Sequence, residues 1–344
     1  MTNIRIGIVG YGKIAQDQHA PAIAANPEFT FVAAVTKGSA SLDVPVYKDV
    51  REMLAKGGLD AAAICTPASV RHDIASACLE AGLHVFLEKP PGATLGDVAD
   101  MAQRAAAARR TLFTSWHAQY NGAVNRAAGI VRAEGLAELS IEWFEDVEKW
   151  HPGQQWIWDA GGFGVFDAGI NALSIATKLS PTPLIVRHAA FECKAGSDQP
   201  IAAQVTLGTA DAGPFEARFD WRPRSDEHWV VNVQTKAGRK LSLTQGGARL
   251  AVDGSEEVCA GAGEYPSLYG EFARLIAGGT SLVDSEPLRV LSDIFLVASR
   301  SPTAIPAGAQ NVDPNRSPPM PERRKDPANR IRQRRASNRR PTPA

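Results

Sequence analysis

Of 344 residues only four are cysteine, and Cys65, Cys78, Cys193 and Cys259 form neither a C-x-x-C pair nor a metal-ligand spacing. That argues against a disulfide-stapled scaffold and predicts reduced, structural thiols with no metal site. No run of eighteen apolar residues exists, so no membrane-spanning helix is expected. The opening MTNIRIGIVGYG lacks the charged-then-apolar order of a signal peptide, and the expected location is the cytoplasm. Net charge is missing as well: 37 basic and 37 acidic residues cancel.

The cancellation hides an asymmetry. From Ser301 onward ten basic residues face three acidic ones, a charge of +7, which leaves 27 basic against 34 acidic, or −7, in the first 300 residues. Residues 301–344 also hold nine prolines and no aromatic. Such a segment cannot bury enough apolar surface to offset its ordering entropy, and a disordered tail is expected. It is either a solvated extension, an out-of-frame product or a basic arm for an acidic surface; nucleic acid is not the expected partner.

What is present is a core-forming chain with 44% hydrophobic residues, long enough for two domains. The apolar strand Ile4 to Val9 runs into Gly10-Tyr11-Gly12-Lys13-Ile14-Ala15, a G-x-G-x-x-A pattern. Gly10 permits a tight turn, Gly12 lets the backbone approach a pyrophosphate, and Ala15 lets the next helix sit close to the sheet. Strand and helix patterns then alternate as far as TLFTSW, which predicts a doubly wound parallel sheet of the Rossmann type. Ligands of such sheets bind beyond the carboxyl ends of the strands, where Thr66-Pro67, Glu88-Lys89-Pro90 and Trp116-His117 fall. The second strand ends in Thr36-Lys37 where NAD-selective proteins carry an acid, so the expected cofactor is NADP or NAD; the alternative is that Lys37 is a surface lysine.

After residue 182 apolar residues recur with period two, in LIVRHAAFEC, IAAQVTLGT, FEARFDWRP and HWVVNVQTKAGRKLSLTQGGARLAVDG. These runs predict a second, mainly antiparallel sheet, with KAGRK and GG as hairpin connections. YPSLYGEFARLIAGG and EPLRVLSDIFLVASR read as closing helices. Between the halves lies EDVEKWHPGQQWIW, residues 145–158, which crowds three tryptophans, a histidine and three acids into one segment. Flat rings that cover C–H faces and polar groups that grip hydroxyl rims suit a sugar, although tryptophans also serve in cores.

At LEKPPG, GVFDAGIN and WFEDVEKWHPGQQWIW the chain resembles the Gfo/Idh/MocA family of sugar oxidoreductases, and within it the aldose 1-dehydrogenases. The resemblance runs from about Asn3 to Arg300. It implies a Rossmann domain over 1–120 and a substrate and oligomerisation domain over 121–300, with residues 301–344 outside. The E-K-P motif matches Glu88-Lys89-Pro90 and places Lys89 beside the nicotinamide, where it suits proton transfer. The family's helical D-x-x-x-H reads Asp167-Ala168-Gly169-Ile170-Asn171, so that asparagine stands where the family has histidine, and an amide cannot accept a proton as imidazole does. The resemblance implies Lys89 and Asp167 as the catalytic pair, with Glu145, His151, Asn171, Trp150 and His117 around the sugar. Gly10, Gly12, Lys13, Ile14, Ala15, Thr36, Lys37, Thr66, Pro67, Glu88 and Lys89 would border the dinucleotide. The implied reaction is oxidation at C1 of D-galactose or L-arabinose to a lactone. An inositol or other polyol, or a non-catalytic sugar and nucleotide sensor, are the competing readings. Pairing of the second sheet with another subunit is also implied.

Overall fold

The run IRIGIV becomes β1 (Ile4–Val9), with Ile6, Ile8 and Val9 buried, in a computed structural model that describes residues 3–302. The chain turns at Gly10 into a helical stretch that contains a π turn, Ala15–His19, and continues as α1 (Ala20–Ala25). Next come β2 (Phe29–Val35), β3 (Val46–Tyr47), α2 (Val50–Lys56) and β4 (Ala61–Ile64). They are followed by α3 (Ala68–Glu80), β5 (His84–Leu87), α4 (Leu95–Ala108) and β6 (Leu112–Thr114). Asp49 caps α2 through the Arg51 amide, and Thr94 with Asp97 forms a capping box on α4, so both helices start where a side chain satisfies their first amides. The six strands lie in the order β3-β2-β1-β4-β5-β6, all parallel, as expected. The order reverses between β1 and β4, and that switch point opens a crevice at their carboxyl ends. The two-residue β3 and the π turn left no periodic signal.

A 3-10 turn, His117–Tyr120, leads to α5 (Gly122–Glu134) and β7 (Leu136–Phe144), then α6 (Val147–Trp150) and a second 3-10 turn, Gln155–Trp158. After α7 (Phe166–Leu179) the chain forms β8 (Ile185–Cys193), β9 (Pro200–Gly208), β10 (Phe215–Asp220), β11 (His228–Thr235), β12 (Lys240–Thr244), β13 (Arg249–Val252) and β14 (Ser255–Glu257). It closes with α8 (Glu264–Gly278), α9 (Glu286–Val297) and β15 (Ser299–Pro302). The second sheet has the order β14-β13-β12-β11-β7-β10-β9-β8-β15. It is mixed: β7 with β10 and β15 with β8 are parallel, and the other pairs antiparallel. Its apolar positions alternate, and α7, buried along most of its length, packs against β7 and β11.

One local expectation holds in detail and one changes. Gly246 and Gly247 lie, as expected, in the connection between the antiparallel β12 and β13, which takes the form of a 3-10 turn, Gln245–Gly247. The last helix stops at Val297, and Ser299 to Pro302 pair with β8, so the boundary expected at Arg300 falls inside a strand. The rest of the expected disordered tail lies outside the described residues. Among the described residues no helix is long and apolar enough to cross a membrane.

One helix of the second half completes the first sheet. Tyr265, Leu268, Tyr269 and Phe272 of α8 share a core with Ile6, Ile8, Phe86 and Phe113 of β1, β5 and β6. The Tyr269 ring stacks on Phe86 at 5.1 Å, and Phe272 on Phe113 at 6.1 Å. A parallel sheet must be covered on both faces, and α8 supplies part of one cover.

Candidate active site

The crevice between β1 and β4 has the features of a dinucleotide cradle. Gly10 has φ +89°, and a Cβ there would lie 2.8 Å from the Thr66 amide nitrogen, so only glycine lets these strand ends close together. A Cβ on Gly12 would meet nothing within 4 Å, which leaves space over that backbone for a phosphate. The first helical bond runs from the Gln16 amide to the Gly12 carbonyl, 3.0 Å, so the amides of Lys13, Ile14 and Ala15 stand ahead of it as donors. Ala15 is fully buried against the sheet, Ile14 is exposed, and Lys13 pairs with Asp17. Among the described residues the buried Oγ1 of Thr66 has no hydrogen-bond partner, and Pro67 stands at the N-cap of α3. Beyond β2, Thr36 accepts from the Gly38 amide, and Lys48 Nζ donates to the Gly38 carbonyl at 2.6 Å, steadying the loop that carries Lys37. An orphaned hydroxyl, an open glycine and free amides fit a dinucleotide.

Lys89 lies on the turn after β5, with a cis Lys89–Pro90 bond. Buried Arg71 of α3 donates to the carbonyls of Thr66, Glu88 and Pro90, tying this turn to the end of β4. Burial pulls the Arg71 guanidinium down to about 10. An arginine in a helical pattern reads as a surface residue, so nothing in the sequence singled it out. Glu88 was expected to border the cofactor, but its side chain turns inward. Oε2 accepts from the Lys89 amide at 2.7 Å, and Oε1 accepts from the Tyr265 hydroxyl at 2.6 Å and lies 3.2 Å from His19 Nε2. Burial alone would raise the Glu88 carboxyl; the hydrogen bond and charge of His19, with His117 and Tyr265, outweigh burial and hold it well below the usual carboxylate range. His19 Nδ1 sits 2.8 Å from the Tyr269 hydroxyl, so this buried group ties the Lys89 turn to α8.

Across from that turn, α7 presents Asp167 in its first turn and Asn171 one turn later, on the same face. Lys89 Nζ donates to the Asp167 carbonyl at 2.7 Å and lies 3.3 Å from Oδ1. His151 Nε2 is 3.7 Å from Oδ2. The residues of three segments, Lys89, His151 and Asp167, therefore meet at one carboxylate. Asn171 is half-buried, and among the described residues no hydrogen bond engages its side-chain amide. Gly162 keeps the loop before α7 tight, because a Cβ there would stand 2.2 Å from the Trp156 carbonyl oxygen.

The aromatic segment divides its work differently from expectation. Glu145, expected on sugar hydroxyls, is buried, and its oxygens accept from Trp221 Nε1 at 2.6 Å and Trp229 Nε1 at 2.8 Å. Burial raises its carboxyl above the ordinary value, although the two indoles pull it back. It anchors rings. Trp221 in turn lies 5.0 Å from the His151 ring and 6.0 Å from Trp158, forming a floor that sequence reading missed. Trp150 is half-exposed, and its contacts run to Glu227, Lys149 and Trp229 rather than to Lys89 or Asp167. Trp156 donates to Gln154 at 3.0 Å.

His117 is set by α8. Its Nδ1 is 2.9 Å from Glu264 Oε2, its ring stacks on Tyr265 at 5.7 Å, and among the described residues no hydrogen bond engages its Nε2. Among the described residues no group of three or more His, Cys, Asp or Glu side chains is placed to hold a metal ion.

Residues 4–115 match GFO_IDH_MocA, described as an oxidoreductase family with an NAD-binding Rossmann fold. Over 301 residues the chain is 43% identical to a galactose 1-dehydrogenase of Pseudomonas fluorescens, covering 87% of this chain and 97% of that protein. A crystal structure of a D-galactose-1-dehydrogenase from Rhizobium etli superposes with a TM-score of 0.83 at 43% identity, over 88% of this chain and 97% of the other. A 3-ketoreductase from Actinomadura kijaniata, solved with NADP and TDP-benzene, superposes with a TM-score of 0.76 over 88% of this chain and 99% of the other; at 15% identity it shares the fold alone.

Proposed function

The chain belongs to the Gfo/Idh/MocA oxidoreductase family and carries its NAD-binding Rossmann fold, and from this premise we propose that it oxidises a cyclic aldose at C1, D-galactose or L-arabinose, to the lactone. The observation that carries the reading is the meeting of Lys89, His151 and Asp167 beside the dinucleotide cradle, in a chain 43% identical to a galactose 1-dehydrogenase along nearly its whole length.

In this reading residues 1–120 hold NAD(P)+ and residues 121–300 hold the sugar. The bound nicotinamide supplies the hydride acceptor. Gly10, Gly12 and the amides from Lys13 to Ala15 seat the pyrophosphate, Thr66 offers its unpaired hydroxyl, and Thr36 with Lys37 favours a 2′-phosphate. Lys89 and Asp167 polarise the C1 hydroxyl and hold the charge as its proton leaves, while Asn171, His117 and His151 grip neighbouring hydroxyls. Glu145 holds Trp221 and Trp229 in place, and Trp221 lies against the His151 ring.

D-galactose and L-arabinose share their ring configuration and differ by the hydroxymethyl group on C5, so a small pocket change separates them. Nicotinamide absorbance, followed with D-galactose, L-arabinose and myo-inositol against NAD+ and NADP+, tests the assignment. Fast reduction with either aldose is expected. Reduction with myo-inositol alone would move the substrate to a polyol, and none at all, in folded protein that binds dinucleotide, would favour the sensor.

A further inference from the structure

The His151 ring is loosely tied by its own polar contacts: Nδ1 lies 3.5 Å from Gln154 Oε1, and Nε2 lies 3.7 Å from Asp167 Oδ2. The firmer anchors are upstream, in α6, the four-residue turn that ends at Trp150. A single helical turn does not hold itself together in water, because nucleation fixes several residues for one hydrogen bond. Its internal bonds are local: Asp146 caps the Glu148 amide at 2.9 Å, and the His151 amide donates to the Val147 carbonyl at 2.8 Å. Glu227 supplies an outside hold. Its Oε1 accepts from the Asp146 amide at 3.0 Å and from Trp150 Nε1 at 2.7 Å, and its Oε2 pairs with Lys149. One carboxylate thus takes donors from both ends of the turn, as two oxygens with two lone pairs each allow. Buried Val147, whose amide meets the Trp221 carbonyl at 3.4 Å, fixes the start of the turn as well. Trp150, directly before His151, is held by Glu227 and by an edge contact with Trp229. Burial would raise the Glu227 carboxyl, but its three donors and the Lys149 charge hold it below its ordinary 4.5, so it is an anion at neutral pH. The register explains how position 227 reaches this turn: β11 begins at His228, opposite Phe144 of β7, which brings the residue before β11 beside the residues after β7.

We propose that Glu227 is a positioning residue for the sugar site: by gripping both ends of α6 it holds the His151 imidazole against Trp221 and opposite Asp167, where the ring binds a sugar hydroxyl. The part that His151 plays toward sugar rests on the aldose-oxidation reading; the hold of Glu227 on His151 does not. Without the carboxylate the Trp150 indole and the Asp146 amide turn to water, the turn frays from its C-terminal end, and the imidazole moves off with Trp150. Among the described residues Glu227 makes no hydrogen bond to Lys89, Asp167 or the glycine turn, so sugar affinity changes while dinucleotide seating and the hydride step stay as they are.

The test pairs a kinetic cycle with a ligand-free readout. Glu227→Ala is expected to raise the KM of the accepted aldose roughly tenfold, with kcat and NAD(P)+ affinity unchanged. In a His151→Ala background the same change is expected to leave KM where His151→Ala had put it, because one residue acts through the other. An unchanged KM in Glu227→Ala, or an equal rise in both backgrounds, would overturn the proposal. Proton NMR of the ligand-free protein gives the second reading. Burial and the charge of Lys89 hold His151 below its ordinary 6.5 against the pull of Asp167 and Gln154, so a ring released from its place is expected to titrate nearer 6.5 in Glu227→Ala than in wild type. Trp150→Phe, which keeps a ring and removes the N–H, is expected to shift the titration the same way and replaces Glu227→Ala if that variant does not fold. A His151 titration identical to wild type in the folded variant would overturn the proposal. Wild-type protein that oxidises no aldose would overturn the parent reading, and the titration would then decide this one alone.

Discussion

Lys89 Nζ lies 2.7 Å from the main-chain oxygen of Asp167 and 3.3 Å from its Oδ1, joining the turn after β5 to the first turn of α7. Both groups are largely shielded from water, and under the proposed aldose oxidation the contact would place charge beside the C1 hydroxyl. Lys89→Met is expected to reduce kcat by roughly 10²–10⁴-fold with dinucleotide binding retained. Asp167→Ala is expected to do the same and to raise the sugar KM, because His151 loses the carboxylate it faces. Steady-state kinetics decide the matter, and near-normal turnover in both variants would remove the pair from the chemistry.

The loop after β2 offers a hydroxyl and an ammonium and no acid before Asp43. Lys37→Ala is expected to weaken NADP+ by about 1.5 kcal/mol, roughly tenfold in Kd, and to leave NAD+ unchanged. Fluorescence titration with both dinucleotides measures it. An unchanged ratio would leave Lys37 a surface lysine.

The His117–Glu264 contact predicts a pH window for stability. Burial opposes the charge on each, but Glu264 lifts His117 above its ordinary 6.5, while His117 and Asn121 pull Glu264 below 4.5. The His117 contribution is full below 6.5 and fades as pH rises through its raised folded value; the Glu264 contribution is present above 4.5 and fades as pH falls through its lowered one. Urea unfolding is expected to show Glu264→Gln losing more stability at about pH 6 than at about pH 9. Equal losses at the two values would sink the assignment.

Gly162→Ala forces a methyl onto the Trp156 and Ile157 carbonyls, neither of which is a flexible side-chain end. A cost of about 1–3 kcal/mol in unfolding free energy is expected, as for other overpacked sites. The same shift moves the Trp156–Gln154–His151 series, so sugar affinity should fall with it. Calorimetry and a galactose titration check the two effects separately.

The first sheet was legible because each of its elements is local: a short apolar run, a turn residue, a helix. The tight turn at Gly10, the open backbone at Gly12 and the burial of Ala15 are announced within six positions. Lys89 and Asp167 were legible only through motif resemblance, since nothing in their own spacing brings position 89 to position 167. Glu145 was misread because a carboxylate amid aromatics looks the same whether it grips a hydroxyl or an indole N–H. The choice was made by Trp221 and Trp229, which arrive beside it through the pairing of β7 with β10 and β11. Glu88 failed in the same way, its partners His19 and Tyr265 lying far away in the chain on either side.

The packing of α8 onto the first sheet has a consequence for biosynthesis. Phe86 and Phe113 leave the ribosome 183 and 159 residues before Tyr269 and Phe272, the rings that stack on them. At about 5–20 residues per second that interval is on the order of ten seconds. For that time the nascent chain carries a nearly finished parallel sheet with part of one oily face bare, longer than hydrophobic collapse takes and long enough for neighbouring chains to stick. A fragment that ends before α8 would keep this part of the face bare, and it is expected to aggregate where the full chain does not.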